Sequence, residues 1–360
     1  MTACDDCLRR TDLVAAMAGR LQIEFKRRSA PGRVLALHDE DLLDLAAEAV
    51  IRRRYAGFDA AAARARATAV GLTTVCGCRD AYPGRLRELA DPPAVLHVRG
   101  DPAVLQAEEA VAVVGARQAS NYGLEVAQSL GRGLSAAGVP VVSGLALGVD
   151  SAAHEGALEA SGSTIGVLAG SAHVAYPARG RVLHARVVAR GAVISELPPG
   201  VETHRWCFVA RNRIIAALGA VTIVVQATER SGSLTTADFA AELGRTVGAV
   251  PGLVTARLSA GTHGLIHAGA PLVRDATDVL DLLAGATGLE FEAPPPAPPP
   301  ALAPELRRLL DAVEGGHGAL TELARTTAEA RAALVGLGEL ERLGLVRRGF
   351  AGRWERAVSA

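Results

Sequence analysis

From Val111 to Leu283, short and largely apolar runs alternate with stretches whose apolar residues return every three or four positions. VAVVGA, VPVVSG, TIGVLAG, AVISE, VTIVVQA, TVGAVPG and PLVRD each have the length of a strand. Near-continuous apolar strands occur where helices cover both faces of a parallel sheet. The pattern therefore predicts an α/β fold over 81–285, a doubly wound and mostly parallel sheet that offers ligand sites at the carboxyl ends of its strands. Residues 1–80 are rich in Ala, Leu and Arg, as in DEDLLDLAAEAVIRRRY, and predict a small helical domain. Tyr82–Gly100 carries the prolines of a connector. Near the other end, APPPAPPPALAP has seven prolines in twelve residues, so 286–303 reads as a stiff, extended linker. Beyond it, over 304–360, three helical stretches and the hairpin RRGFAGRWERA predict a winged helix.

Composition narrows the choice of partner. The chain has 38 basic and 38 acidic residues, so contact with a nucleic acid has to come from a local cluster of cations in a shaped pocket. Lys26 is the one lysine, and the arginine excess reads mostly as a coding bias. Five cysteines, no signal-like leader and no apolar run near eighteen residues predict a reduced, cytoplasmic protein without membrane contact. Cys4 and Cys7 form CxxC, while Cys76 and Cys78 form CxC. Two such pairs suit structural zinc, but CxC is less usual and the pairs are far apart. Unpaired thiols are expected, and no metal.

Five loops at predicted strand ends carry candidate chemistry. VVGARQASNYG offers Gly115, Arg117 and Ser120 before a helix that starts near Asn121, but it lacks GxGxxG, which argues against a dinucleotide site. Arg117 is suited either to a phosphate or to a salt bridge. SGLALGVDSAAHEGA offers Ser143 and Gly144, with Asp150 as a helix cap; Asp150, Ser151 and His154 are too close in sequence for a hydrolytic triad. LAGSAHVAYP offers Gly170, and Tyr176 as a stacking or packing ring. In WCFVARNRII, Arg211, Asn212 and Arg213 are expected at a helix start, where cations are unfavourable unless an anion is bound; the alternative is pairing with Glu196 or Glu202. Finally Ser231, Gly232, Ser233 and Thr236, in SGSLTTADFAAE, place hydroxyls and unpaired N–H groups at a helix N-terminus. Together the loops offer means to bind phosphate and little means to transform it.

These motifs resemble the DNA-processing protein A family, also called DprA or Smf. The resemblance rests on YPxxLxxLxDPPxxL from Tyr82, GxRxxSxYG from Gly115, SGxAxGxD from Ser143, YP at Tyr176, RNRII from Arg211, SGSLxTA from Ser231 and VPG from Val250. It implies an extended Rossmann-like domain that binds single-stranded DNA through the phosphate pocket, without catalysis or cofactor. It also implies delivery of single strands to the recombinase RecA in natural transformation, homodimers, and N-terminal helices that are sterile-alpha-motif-like or helix-hairpin-helix. The C-terminal segment would be the family's winged helix; its residues are suited either to contact with duplex DNA or to a small helical interaction module. A rival reading is an enzyme, a nucleoside monophosphate phosphoribohydrolase, with Asp238 and Glu242 as its acids.

Overall fold

The computed structural model describes residues 2–27, 32–291, 302–349 and 352–357. They fall into two compact units, Met1–Pro294 and Pro295–Ala360; most of the expected linker, 292–301, lies outside the described residues. The first unit is built on an eight-stranded sheet: β1 (Thr73–Cys76), β2 (Val95–Gly100), β3 (Val111–Val114), β4 (Val141–Ser143), β5 (Thr164–Val167), β6 (Ala192–Ser195), β7 (Val221–Val224) and β8 (Thr246–Ala249). Their order is β1-β2-β6-β5-β4-β3-β7-β8. Strands β3 to β8 pair in parallel, while β2 lies antiparallel to both β1 and β6. Every residue of β3, β4, β5, β6 and β7 is buried, which is why these strands read as unbroken apolar runs.

Six of the seven expected strands are present. The seventh, PLVRD, makes only an isolated bridge between Leu272 and Ala249. Its backbone is diverted at once, because the Arg274 N–H donates to Asp278 and the chain turns into a helix. Conversely, β1 and β2 fall in stretches read as helical tail and connector, and the expected boundary near residue 80 lies in the loop between them. Short strands next to an alanine-rich helix and a proline cluster carry too little pattern to stand out.

Six helices precede the sheet: α1 (Asp5–Ala16), α2 (Ala18–Arg27), α3 (Gly32–Leu35), α4 (Asp39–Ala46), α5 (Ala49–Ala56) and α6 (Ala60–Ala69). The apolar faces of α1 to α5 share one core with Leu197, Trp206 and Ala210 of the sheet region, while Ala67 of α6 packs in a neighbouring cluster with Leu72 and Leu168. The crossovers are α7 (Asn121–Ala136), α8 (Val149–Glu159), α9 (Arg181–Arg190), α10 (Arg205–Leu218) and α11 (Gly232–Glu242), followed by α12 (Ala260–His267) and α13 (Ala276–Thr287). No helix among the described residues is long and apolar enough to cross a membrane. The second unit holds α14 (Pro304–Glu314), α15 (Leu320–Leu323), α16 (Thr327–Arg342) and the antiparallel pair β9 (Val346–Arg348) and β10 (Trp354–Arg356). Leu310, Leu337, Leu340, Val346 and Trp354 form its core.

Candidate functional site

From β3 the chain winds outward through β4, β5 and β6, then returns to place β7 and β8 on the other side. The loops that leave β3 and β7 part at that reversal and open a crevice at the carboxyl ends of the strands. A cleft of about 680 Å3 lies there, lined by Gly115, Ala116 and Arg117 after β3, Asp150 on α8, Arg211 and Asn212 on α10, and Ser231 to Ser233 with Thr236 at the head of α11. Two neighbouring depressions share its walls. One, containing Tyr176 and Arg179, shares Arg117, Phe208 and Arg211; the other, containing Arg230, shares Thr228 and Arg257. The result is a groove along the sheet edge, longer than a single phosphate site and set with arginines throughout.

The head of α11 forms as its sequence predicts. Ser231 caps the helix, with its Oγ 3.4 Å from the Ser233 N–H and 2.7 Å from the Ser233 Oγ. Asn212 donates to the Gly232 carbonyl at 3.1 Å and ties α10 to this loop. Thr236 is buried beneath it.

Arg211 is the most unusual group in the cleft. It sits in the middle of α10 rather than at a helix start, so the expected clash with a helix dipole is not the reason for its interest. Its side chain is buried, and Nη1 donates to the carbonyls of Gly144 and Val167, each at 2.6 Å. The guanidinium lies flat on Gly144, where a Cβ would come within 2.1 Å of Nη1 and 2.7 Å of Nη2. Its Nε is buried with no partner. No carboxylate among the described residues lies within ion-pair distance of it. Burial lowers its pKa to about 10, Asp150 opposes that, and nearby Arg117 adds to it. A buried cation held by neutral carbonyls, with no carboxylate paired to it among the described residues and a second cation nearby, is the electrostatic preparation for an anion.

Asp150 does not cap α8, a position held by Gly148. Its carboxylate accepts from the N–H groups of Gly144 at 3.1 Å and Ala146 at 3.4 Å, fixing the loop that carries the Arg211 platform. Burial raises its pKa, against the pull of Arg211. Arg117 is exposed, with its guanidinium carbon 5.2 Å from the centre of the Phe208 ring, a cation–π contact that aims the charge while leaving it free of carboxylates. Tyr176 is exposed, its ring 5.6 Å from that of Phe208.

Several residues expected to touch a ligand serve the scaffold instead. Ser120 caps α7 and bonds Gln226: its Oγ takes the Gly123 N–H at 3.2 Å and the Gln226 amide at 2.8 Å. Ser143 is fully buried and donates to the Val113 carbonyl at 2.6 Å. Gly144 supports Arg211 from below, and Gly170 packs against Thr203; neither lines the main cleft. Arg213 takes the salt-bridge alternative. Its Nε donates to Asp91 at 3.0 Å, and Nη1 and Nη2 grip Glu196 at 2.9 and 2.8 Å. Carbonyls of Ala210 and Asp91 take the remaining donors, so all five N–H groups are used. His154 is buried with Nδ1 on Thr164 at 2.7 Å, which leaves no triad. Asp238 and Glu242, required by the enzyme reading, are exposed on α11 and do not line the cleft.

Arg257, Arg179 and Arg230 escaped the sequence reading, although each follows a strand end, the signal by which the other loops were found. A second depression of about 700 Å3 lies between the N-terminal helices and Pro198–His204, and it sets Asp12, Asp59 and Glu202 beside Arg54 and Arg66. Arg54 is already held bidentately by Asp12. That balance does not suit a polyanion, in contrast with the sheet-edge groove.

Residues 73–284 match the model of a family described as DNA recombination-mediator protein A. A Mycobacterium tuberculosis protein bearing the DprA name is 42% identical over 239 residues, 66% of this chain and 61% of that protein; the chain thus matches about three fifths of this relative's length. The DNA processing protein DprA of Bacillus subtilis is 38% identical over 213 residues, covering 59% of this chain and 72% of that protein. The X-ray structure of DNA processing protein A from Streptococcus pneumoniae superposes with a TM-score of 0.64 at 34% identity, covering 81% of this chain and 99% of that one. A structure of DNA processing protein A from Helicobacter pylori, described by its single-stranded DNA binding mode, gives a TM-score of 0.54 at 29% identity, over 59% of this chain and 96% of that one.

Proposed function

This chain belongs to the DNA recombination-mediator protein A family, and from that premise we propose that it binds single-stranded DNA along the arginine-lined groove. The observation that carries this reading is Arg211, a cleft-lining cation bound to carbonyls and to no carboxylate among the described residues, beside the exposed Arg117 and the head of α11. Gly115, Arg117, Asn212, Ser231, Gly232, Ser233 and Thr236 form the phosphate-binding surface around it, joined by Arg257. Gly144 acts through Arg211.

Recognition is of the backbone rather than of bases. Arginines, hydroxyls and N–H groups match phosphate oxygens, and among the described residues the aromatic surface in the groove is that of Tyr176 and Phe208. The groove continues past the central cleft in both directions, which suits a strand better than a mononucleotide. No carboxylate besides Asp150 lines the central cleft among the described residues, and Asp150 is committed to two N–H groups. A mediator that holds DNA without changing it fits this inventory.

Delivery of the bound strand to RecA, service in natural transformation and homodimer formation are proposed on the family relationship. A duplex contact by the C-terminal winged helix is proposed with them, although Arg347, Arg353 and Arg356 around its hairpin already face Glu355, Glu322 and Glu314.

Mobility shifts with single-stranded and duplex oligonucleotides test the reading. Preference for the single strand, similar for different base sequences, is expected. Equal affinity for both forms contradicts it, as does release of free base from nucleoside monophosphates. Faster RecA filament growth on strands coated with single-strand-binding protein tests the delivery role.

A further inference from the structure

The sequence separates CxxC at Cys4–Cys7 from CxC at Cys76–Cys78, and that distance, with the less usual CxC spacing, argues for unpaired thiols. The fold removes the distance. Cys4 stands at the N-cap of α1 and Cys7 in its first turn, while Cys76 ends β1 and Cys78 sits in the turn that follows. The four Sγ atoms all lie within 4.8 Å of one another. Those of Cys7 and Cys78 are 3.4 Å apart, too far for the disulfide bond length of about 2.05 Å. Four sulfurs around one zinc, each about 2.3 Å from it, stand about 3.8 Å from one another in a tetrahedron. The cluster already has nearly that size.

The surroundings fit a metal as well. Cys76 is fully buried, with Ala3, Leu8 and Val95 packed about it and Phe58 beside them, so one side of the cluster is dry. The Cys4 N–H donates to the Cys76 Sγ at 3.4 Å, the kind of contact that stabilises a thiolate ligand. Both cysteine loops are held in place by arginines. Arg87 donates to the carbonyls of Gly77 and Arg79 in the Cys76–Cys78 turn, and Arg64 donates to the Ala3 carbonyl at 2.9 Å and to Asp5. A zinc with four thiolates carries a net charge of −2, and Arg87, bound to carbonyls rather than to a carboxylate, puts positive charge beside the Cys78 turn, while Arg64 is paired with Asp5. The position also gives the ion structural work. β1 is the outermost strand of the sheet, and the satellite core that joins it to α1 is small.

We propose that Cys4, Cys7, Cys76 and Cys78 bind one structural zinc ion, which fastens α1 to the edge strand β1. Binding exchanges the thiol protons for the metal, so affinity falls as pH falls.

Metal analysis of the full-length protein, purified without chelator from zinc-supplemented cells, is the test. About one zinc per chain is expected, lost in Cys7→Ser/Cys78→Ser and kept in Cys207→Ala, whose thiol lies in a different core cluster. Because the double variant can fail to fold, cobalt(II) is added to metal-free wild-type protein as a second measurement. The expected spectrum has the intense visible bands of tetrahedral cobalt and the sulfur-to-cobalt charge-transfer bands of thiolate ligation. Removal of zinc from the wild type is expected to lower Tm. Wild-type protein with no zinc and no cobalt–thiolate bands, or with its cysteines found as disulfides, overturns the proposal.

Discussion

Arg211 and Arg213 are two residues apart on α10, in a sequence where either reads as a phosphate ligand, yet they have opposite fates. Two steps along a helix rotate a side chain by about 200°. One face of α10 looks along the carboxyl ends of β4 and β5, where Arg211 meets only carbonyls. The other looks toward the Tyr82–Leu96 connector, where Arg213 meets Asp91 and Glu196. Burial is nearly equal, at 6% and 2% exposed. The partners differ: a cation satisfied by carboxylates is finished, while one satisfied by carbonyls keeps its charge for a ligand.

The contrast predicts separable effects. Arg213→Ala leaves Asp91 and Glu196 without their cation in a buried setting, at a cost of about 3–5 kcal/mol. Denaturant titration should show that loss, while any folded fraction should keep the wild-type salt dependence of DNA binding. Arg211→Ala should weaken single-strand affinity about ten- to hundredfold, from a lost charge-assisted contact of about 1.5–3 kcal/mol. Arg211→Lys should recover little, since an ammonium cannot span two carbonyls and also present a planar fork. Arg117→Ala, on an exposed side chain, should cost about tenfold in affinity with little change in Tm. Gly144→Ala is the mildest: its methyl displaces a guanidinium that can shift, so a loss below about tenfold is expected. An Arg213→Ala protein that stays stable, or an Arg211→Ala protein that binds normally, would erase the distinction between the two faces.

The doubly wound sheet was legible because fully buried strands need apolar residues at every position, and the loop–helix junction at Ser231 because capping has a local chemistry. Arg211 was found for a reason that the helix boundaries overturn. The scaffold contacts of Ser120 with Gln226, of Ser143 with Val113 and of Arg213 with Asp91 were not legible, because these partners come from other elements and no local pattern reports a contact made across the fold; the pairing of Arg213 with Glu196 was among the sequence alternatives. The two cysteine pairs were legible as CxxC and CxC, but their approach was not, because the halves are brought together only when β1 joins the sheet. The strand itself was missed because a four-residue run beside α6 has almost no periodicity to detect.

The central claim is that Arg117 and Arg211 hold neighbouring phosphates of one strand. The slope of log affinity against log salt for single-stranded DNA, compared between wild type and Arg117→Ala/Arg211→Ala, tests it most directly. Each lost phosphate contact should make the slope shallower by about 0.7, so about 1.4 for the pair, whatever the base sequence. A folded double variant with the wild-type affinity and slope would contradict the account.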